Sequence, residues 1–391
     1  MDLELFGKSP IGRLVPISGT DARGRPYDHF AYVPQPLPDE IELSAATWNV
    51  VAQAGIALGR LDGEGRRLLN PSNLARPQIR EEAISSSALE GTFTTLPQVL
   101  QGELLEREQS SDVREVLDHI AAAELGFAAI NQGQPLSINL IRRLHARLML
   151  SDRQCPASEK GEIRQRQNFV GPRPDSEIAA SFFVPPPPGE ELRQGLFHWE
   201  RWIHGEDINL LVRMAVGHYQ FEALHPFFDG NGRVGRLAAV LLLLHTGDLS
   251  VPLLNISPYL EVRRTEYREH LRNVSVTGDF DDWVKFFCQG VKVQSESALE
   301  KSNSLLELRE QMVRELRAKS VRGKAIEIAE DLVGFPVVTT TDVRDRYNIS
   351  YQAASNAIGV LVEAGYLDSL TLHANRRVFL APAVLQILEG I

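Results

Sequence analysis

At 391 residues the chain has room for about two or three domains, and its 43% hydrophobic and 24% charged content is that of an ordinary folded, water-soluble protein. A formal net charge of −10 argues against wholesale coating of nucleic acid, while leaving room for a local basic patch. Cys155 and Cys288 are the only cysteines, which excludes a disulfide framework and a cysteine zinc site.

Met1-Asp2-Leu3-Glu4 lacks the basic start and apolar core of a signal peptide. The longest apolar run, Leu237 to Leu244, is far too short to span a membrane. The simplest location is cytoplasmic, with no membrane partner. Residues 1–40 are rich in proline, glycine and charge, and Tyr32-Val33-Pro34-Gln35-Pro36-Leu37-Pro38 suggests an extended arm. From Glu40 to Leu61, apolar residues recur at three and four spacing, the period of a helix. A loop follows around Asn70-Pro71-Ser72-Asn73.

Residues 77–91 predict a second helix, with Pro77 in its first turn, Glu81 and Glu82 early and Gly91 as its stop. Ser86 and Glu90 are four apart and share a face. Glu90 would sit in the last turn, where the helix dipole disfavours a carboxylate, so it should seek a cation. Further helices are predicted from Ser111 to Ile130, capped by Ser111 or Asp112 with Gly133 beyond its end, and from Ser137 to Leu150. The polar segment Gly161-Glu162-Ile163-Arg164 through Asn168-Phe169-Val170-Gly171 suggests a short hairpin. Val184-Pro185-Pro186-Pro187-Pro188 makes a rigid turn before a helix carrying Trp199 and Trp202.

Between two apolar segments, Asn209 to Leu224 and Leu237 to Leu244, lies the densest chemistry of the chain: His225-Pro226-Phe227-Phe228-Asp229-Gly230-Asn231-Gly232-Arg233-Val234-Gly235-Arg236. Charge between two buried helices is costly, which marks a site. Gly230 and Gly232 let a ligand approach the main chain closely. If a helix begins near Gly232, its free amides and positive dipole end suit phosphate. Arg233 and Arg236, three apart, would reach the same side. Asp229 beside phosphate calls for a cation between them, and Mg²⁺ held by one carboxylate and phosphate oxygens is the usual solution. His225, with an ordinary pKa of about 6.5, would accept a hydroxyl proton. These parts describe phosphoryl or nucleotidyl transfer to a hydroxyl.

Downstream, Ser257-Pro258-Tyr259 leads into an amphipathic helix from Leu260 to Val274, Trp283 to Val293 suggests another, and residues 294–320 a charged helical connector. Thr340-Thr341-Asp342-Val343 opens a short helix ending near Asn348, Ser350-Tyr351-Gln352 opens a longer one through Ala364, and Tyr366 to Leu380 alternates like a two-stranded wing with a turn near Ala374-Asn375. That stretch resembles a winged helix. Its basic residues (Arg322, Lys324, Arg344, Arg346, Arg376, Arg377) are outnumbered by acidic ones, and Tyr351 to Ala364 contains no Lys or Arg. This favours protein contact or dimerisation over DNA binding.

The 225–236 run resembles the signature of the Fic family, His-x-Phe-x-Asp/Glu-Gly-Asn-Gly-Arg-x-x-Arg, at every fixed position. Ser86-Ser87-Ala88-Leu89-Glu90-Gly91 resembles the Ser/Thr-x-x-x-Glu-Gly/Asn inhibitory motif of the subclass that carries it ahead of the catalytic region. The resemblance implies AMP transfer from ATP and Mg²⁺ to a Ser, Thr or Tyr hydroxyl of a protein, which can be the chain itself. It implies His225 as general base, Asp229 on the metal, and Phe228, Gly230, Asn231, Gly232, Arg233 and Arg236 around the nucleotide. It also implies that Glu90, with Ser86 and Gly91, competes with the γ-phosphate for Arg236. An ion pair at about 4 Å is worth roughly 4 kcal/mol at an effective dielectric near 20 before desolvation, enough for such competition. The segment 161–171 resembles the family's flap, which would order a target peptide by strand addition.

The expected fold is mainly α: an N-terminal helical region with the inhibitory helix (1–110), a Fic helical core with a small β-hairpin flap (111–300), and a linker helix with a winged helix-turn-helix (301–391). A homodimer and DNA binding stay open. Alternatives are removal of AMP, a different nucleotide donor, and a DNA-binding regulator whose core senses nucleotide.

Overall fold

The computed structural model describes residues 1–391 except 22, 68–69, 105–108, 172–175, 372–376 and 391. A short helix α1 (Leu3–Phe6) precedes an antiparallel hairpin of β1 (Gly12–Thr20) and β2 (Pro26–Pro34), in register from Gly12 opposite Pro34 to Thr20 opposite Pro26. Of the extended arm expected over Tyr32 to Pro38, Tyr32 to Pro34 ends β2 and residues 35–38 lie outside helix and strand. Tyr32 fixes the hairpin to the body: its hydroxyl donates to the Ser275 carbonyl at 3.0 Å and its N–H to the Val184 carbonyl at 2.8 Å.

Then come α2 (Ala45–Gly65), α3 (Pro71–Glu90), α4 (Leu96–Leu104), α5 (Ser111–Asn131) and α6 (Ile138–Leu148). Side-chain caps set several starts: the hydroxyls of Ser44, Ser110 and Ser137 accept from the amides of Thr47, Val113 and Leu140. The cap of α5 is Ser110, one residue ahead of the expected candidates. Helix α3 starts at Pro71, six residues before the expected start, so Pro77 lies inside it. Residue 77 then has no N–H for the Asn73 carbonyl, and the backbone of Gly334 packs there: a Cβ on Gly334 would fall 2.8 Å from the Asn73 Cα.

The expected hairpin over 161–171 takes another form. Among the described residues it has no strand, and one antiparallel bridge joins Val170 to Phe183. The segment is held by side chains instead: Arg164 and Asn168 donate to backbone carbonyls of the 224–228 loop. After a single 3-10 turn at Ile178–Ala180 come α7 (Glu190–Ile203), α8 (Leu210–Leu224) and α9 (Asn231–Thr246). Helices α8 and α9 are buried on nearly every side, as apolar helices without a polar stripe must be.

The amphipathic segment expected from 260 is two helices, α10 (Ser257–Val262) and α11 (Arg264–Thr277), broken at Arg263. The packed helix and connector expected after it are one 38-residue helix, α12 (Asp281–Ala318), lying along α2. The chain closes with α13 (Lys324–Asp331), β3 (Val337–Val338), α14 (Thr340–Tyr347), α15 (Tyr351–Glu363), β4 (Asp368–Thr371), β5 (Arg377–Leu380) and α16 (Pro382–Glu389). Its strands form an antiparallel sheet in the order β3-β5-β4. The turn expected near Ala374-Asn375 lies outside the described residues.

One apolar core runs from α2 through α8 and α9 to the C-terminal helices. A second cluster joins Leu100 of α4 to Val337 and Val378 of the terminal sheet. Two further contacts tie that sheet's surroundings to α3: Asn73 Nδ2 donates to Asp331 Oδ1 at 2.8 Å, and the Arg76 guanidinium lies 4.6 Å from the Phe335 ring centre. The C-terminal unit is therefore anchored on the helix that carries Glu90.

Candidate active site

Helix α8 ends in left-handed geometry at His225 (φ 48°), and α9 begins after Gly230 (φ 73°). Six residues, 225–230, thus reverse the chain between two buried helices. Asn231 locks the turn: its Oδ1 accepts from the Phe227 amide at 2.8 Å and its Nδ2 donates to the Phe227 carbonyl at 2.9 Å. Its side chain is therefore committed to the loop, and any anion contact at this position falls to backbone.

Two residues outside the run support it. The Phe227 ring stacks on His145 at 3.9 Å and 4°. His145 accepts from the Gly161 amide at Nδ1, so its proton lies on Nε2, which meets the Asp229 carbonyl at 2.9 Å. Burial pushes His145 down to about 4, keeping it neutral. Arg164 donates to the carbonyls of His225 at 2.8 Å and Pro186 at 2.5 Å. It covers the C-terminal end of α8, where partial negative charge favours a cation. Burial brings its pKa down to about 9.

His225 itself is half-buried. Burial first, then the nearby Arg164 charge, push its imidazole down to about 4, while Glu90 and the Glu222 backbone act the other way. The ring is neutral at pH 7 and able to accept a proton. Phe228 is half-buried under the Arg166 guanidinium, 4.8 Å from its ring centre. Asp229 is exposed, and its Oδ1 takes the Gly230 amide at 2.6 Å.

The two arginines of α9 do not share one partner. Arg233 pairs with Glu115 of α5 and reaches the Met149 sulfur at 3.7 Å. Arg236, 2% exposed, goes the other way: Nε donates to Ser86 Oγ at 2.9 Å, and Nη2 to the Ser86 carbonyl at 2.9 Å and Glu90 Oε1 at 2.7 Å. Glu90 is brought there by α3, which stops at Gly91 in left-handed geometry (φ 101°), the conformation glycine adopts without strain. Burial would raise the Glu90 carboxyl, but Arg236 outweighs it and holds it below the usual range. For Arg236, burial is likewise overcome, by Glu90, Tyr267 and Glu222. Gly232 completes the contact, since a Cβ there would lie 2.2 Å from Glu90 Oε1 and 2.8 Å from Arg236 Nη1.

Residues 48–128 match the profile of the Fic/DOC family N-terminal region, and residues 135–243 that of the Fic/DOC family itself. This chain carries a Fic/DOC domain. It is 30% identical over 232 residues to the protein adenylyltransferase Fic of Drosophila erecta, covering 56% of this chain and 42% of that one. The same protein from Drosophila virilis is 30% identical over 231 residues, at 56% and 43% coverage. The chain therefore spans less than half the length of these relatives. By shape it resembles a Fic family protein from Desulfovibrio desulfuricans, with a TM-score of 0.56 and 18% identity over 88% of this chain and 98% of that one. It also resembles a Fic domain containing signalling protein from Bacteroides thetaiotaomicron, with a TM-score of 0.50 and 21% identity over 64% and 94%. At those identities the likeness speaks to the fold alone.

The Glu90–Arg236 contact thus joins the N-terminal region of the Fic/DOC family to the Fic/DOC domain proper. Nothing in the sequence itself marks Glu115, His145 or Arg164. Each lies far from the signature in the chain, and a lone Glu, His or Arg on an amphipathic segment carries no signal of a distant partner. Among the described residues no helix is long and apolar enough to cross a membrane.

Proposed function

We propose that this chain is a protein adenylyltransferase, moving AMP from ATP to a Ser, Thr or Tyr hydroxyl of a protein and releasing pyrophosphate, and that Glu90 restrains it through Arg236. The observation that carries the reading is the Glu90–Arg236 contact at the head of α9, inside the His225-to-Arg236 run of a Fic/DOC domain. Relatives named protein adenylyltransferase support the chemistry.

In this reading the target hydroxyl gives its proton to the neutral His225 ring as its oxygen attacks the α-phosphorus, and the bond to the pyrophosphate oxygen breaks. The first-turn amides of α9, Gly232 among them, have no acceptor within the helix and receive the phosphates, while Gly230 at the turn leaves room for their approach. Arg236, freed from Glu90, holds the γ-phosphate and so sets the α-phosphate in line for attack. Arg233, fixed by Glu115, presents positive charge to the same anion.

Asp229 suits Mg²⁺, since it is exposed and, among the described residues, only its Oδ1 is engaged, by one backbone amide. Among the described residues no cluster of three or more ligating side chains exists, so phosphate oxygens would complete the shell. The ion would offset the charge building on the phosphates. The α13–α16 unit is proposed as a winged helix used for protein contact or dimerisation, because α15 carries no Lys or Arg to meet phosphates.

Mass spectrometry of the Glu90→Gly chain incubated with ATP and Mg²⁺ tests the reading. AMP added to itself or to lysate proteins is expected; a chain and lysate that stay unmodified overturn it. Thermal shifts with ATP, UTP, GTP and CTP identify the donor, with ATP expected to give the largest.

A further inference from the structure

Glu222 is a buried carboxylate that none of these steps uses. It sits on α8 one turn before His225, 14% exposed, and its Oε1 is buried without a hydrogen-bond partner among the described residues. That oxygen lies against the backbone of α9, where a Cβ on Gly235 would come within 3.0 Å of it. The missing side chain at 235 is what lets the carboxylate reach the turn that carries Arg236.

The groups around it come from four helices. His218 of α8 stands 3.9 Å away through Nε2, which is bonded at 2.8 Å to the Tyr267 hydroxyl of α11. Arg236 of α9, Arg268 of α11 and Glu90 of α3 also act on it. Burial holds His218 near 3 and raises Tyr267 well above its usual range, so neither supplies charge at pH 7. The arginines are the cations available, and Arg236 acts on Glu222 more strongly than Arg268 does. A buried polar oxygen without a partner is costly in a helix otherwise apolar on nearly every side, which calls for a role.

We propose that Glu222 is a positioning residue for Arg236: when Glu90 withdraws, Glu222 is the carboxylate that keeps the guanidinium in the site, ready to pass to a triphosphate. This rests on Glu90 being the inhibitory partner, as argued above. While Glu90 is in place, burial first and Glu90 second push Glu222 up to about 7, with Arg236 opposing them. Removing Glu90 takes away a negative neighbour, so Glu222 ionises more readily and replaces it as the charged partner of Arg236. The two carboxylates alternate. Glutamine at 222 copies the protonated form in shape and cannot copy the ionised one.

The test is a cycle of thermal unfolding on the full chain at about pH 6.5, close to the ordinary histidine pKa, without nucleotide. It compares the parent, Glu90→Gly, Glu222→Gln and the double variant. Glu222→Gln should move Tm little in the parent and lower it by about 2 °C or more in the Glu90→Gly background. Equal losses in both backgrounds, the signature of packing alone, would overturn the proposal. In the Glu90→Gly background, Glu222→Gln should also raise the KM for ATP about tenfold with kcat little changed, and flatten the pH profile of kcat/KM. An unaltered KM and profile would again overturn it. Absence of labelling by Glu90→Gly would sink the functional reading instead, and the unfolding cycle would still decide Glu222 by its own result.

Discussion

Glu90 Oε1 accepts from Arg236 Nη2 at 2.7 Å in the space where a Cβ on Gly232 would stand. The last turn of one helix thus closes on the first turns of another, with glycine at the contact because nothing larger fits. Ser86, one turn earlier on α3, takes the same guanidinium through both its hydroxyl and its carbonyl.

The clasp should weaken in steps. Ser86→Ala removes one of the three hydrogen bonds that α3 gives Arg236 and leaves the ion pair. The bond is charge-assisted, and with the Ser86 carbonyl still holding the guanidinium its loss should cost about 1 kcal/mol net. Transfer of labelled AMP should rise about fivefold over the parent and stay below that of Glu90→Gly. A Ser86→Ala chain as active as Glu90→Gly would mean that the hydroxyl, and not the carboxylate, restrains Arg236.

Asn231 and His225 should fail differently. Asn231→Ala breaks both bonds to Phe227 and leaves buried backbone groups unpaired, costing about 2 kcal/mol of stability along with labelling. His225→Ala should abolish labelling in the Glu90→Gly background with a far smaller loss of Tm. Comparing Tm with labelling for the two variants checks this, and equal Tm losses would contradict it.

The C-terminal unit should bear on the restraint because it grips α3 at Asn73 and Arg76. Phe335→Ala combined with Asn73→Ala removes both contacts. The freer helix should raise labelling in the parent and leave Glu90→Gly unchanged, since there the restraint is already gone. Unchanged parent activity would show that the two ends of α3 are independent.

Stability should fall as the solution is acidified. Burial holds His119 and His218 near 3, and His145 and His225 near 4. Depressed histidines stay neutral in the fold while the unfolded chain takes up protons below about pH 6.5, so stability drops as pH falls from there toward 4. Glu222 works the other way: raised to about 7, its contribution is full below the ordinary carboxylate pKa and is lost as pH rises through 7. Burial raises Glu82, Glu115 and Asp342 as well and lowers His29 and His245, so among the described residues six depressed histidines stand against four raised carboxylates. Urea unfolding should therefore give a lower free energy at pH 5 than at pH 7, with a slope of about 1.4 kcal/mol per pH unit for each fully linked proton. A flat profile would show that these histidines titrate normally.

The chemistry of the loop was legible because it is local. Glycines at 230 and 232, the helix start and the two arginines are fixed by neighbours in the chain, and the face shared by Ser86 and Glu90 follows from their spacing. What the sequence hid depends on partners far away. Strand β1, interrupted by Pro16 and Gly19, shows no clean strand pattern by itself and is defined by its pairing with β2. Arg233 and Arg236 share a helix face by spacing, yet Glu115 draws one aside and Glu90 the other. Segment 161–171 has the polarity of a hairpin, but Arg164 and Asn168 spend it on the carbonyls of the loop they support. In α3, Pro77 looked like a helix start because an interior proline is usually disfavoured; the Gly334 backbone against Asn73 shows what fills the gap.

In the proposed function, Glu90 and a triphosphate compete for Arg236. The direct measurement is incorporation of label from α-phosphate-labelled ATP by the parent chain and by Glu90→Gly, side by side with Mg²⁺ present. Weak labelling by the parent is expected, with labelling at least about tenfold stronger by Glu90→Gly, the effect of removing roughly 1.4 kcal/mol or more of restraint. A Glu90→Gly chain no more active than its parent would contradict that competition.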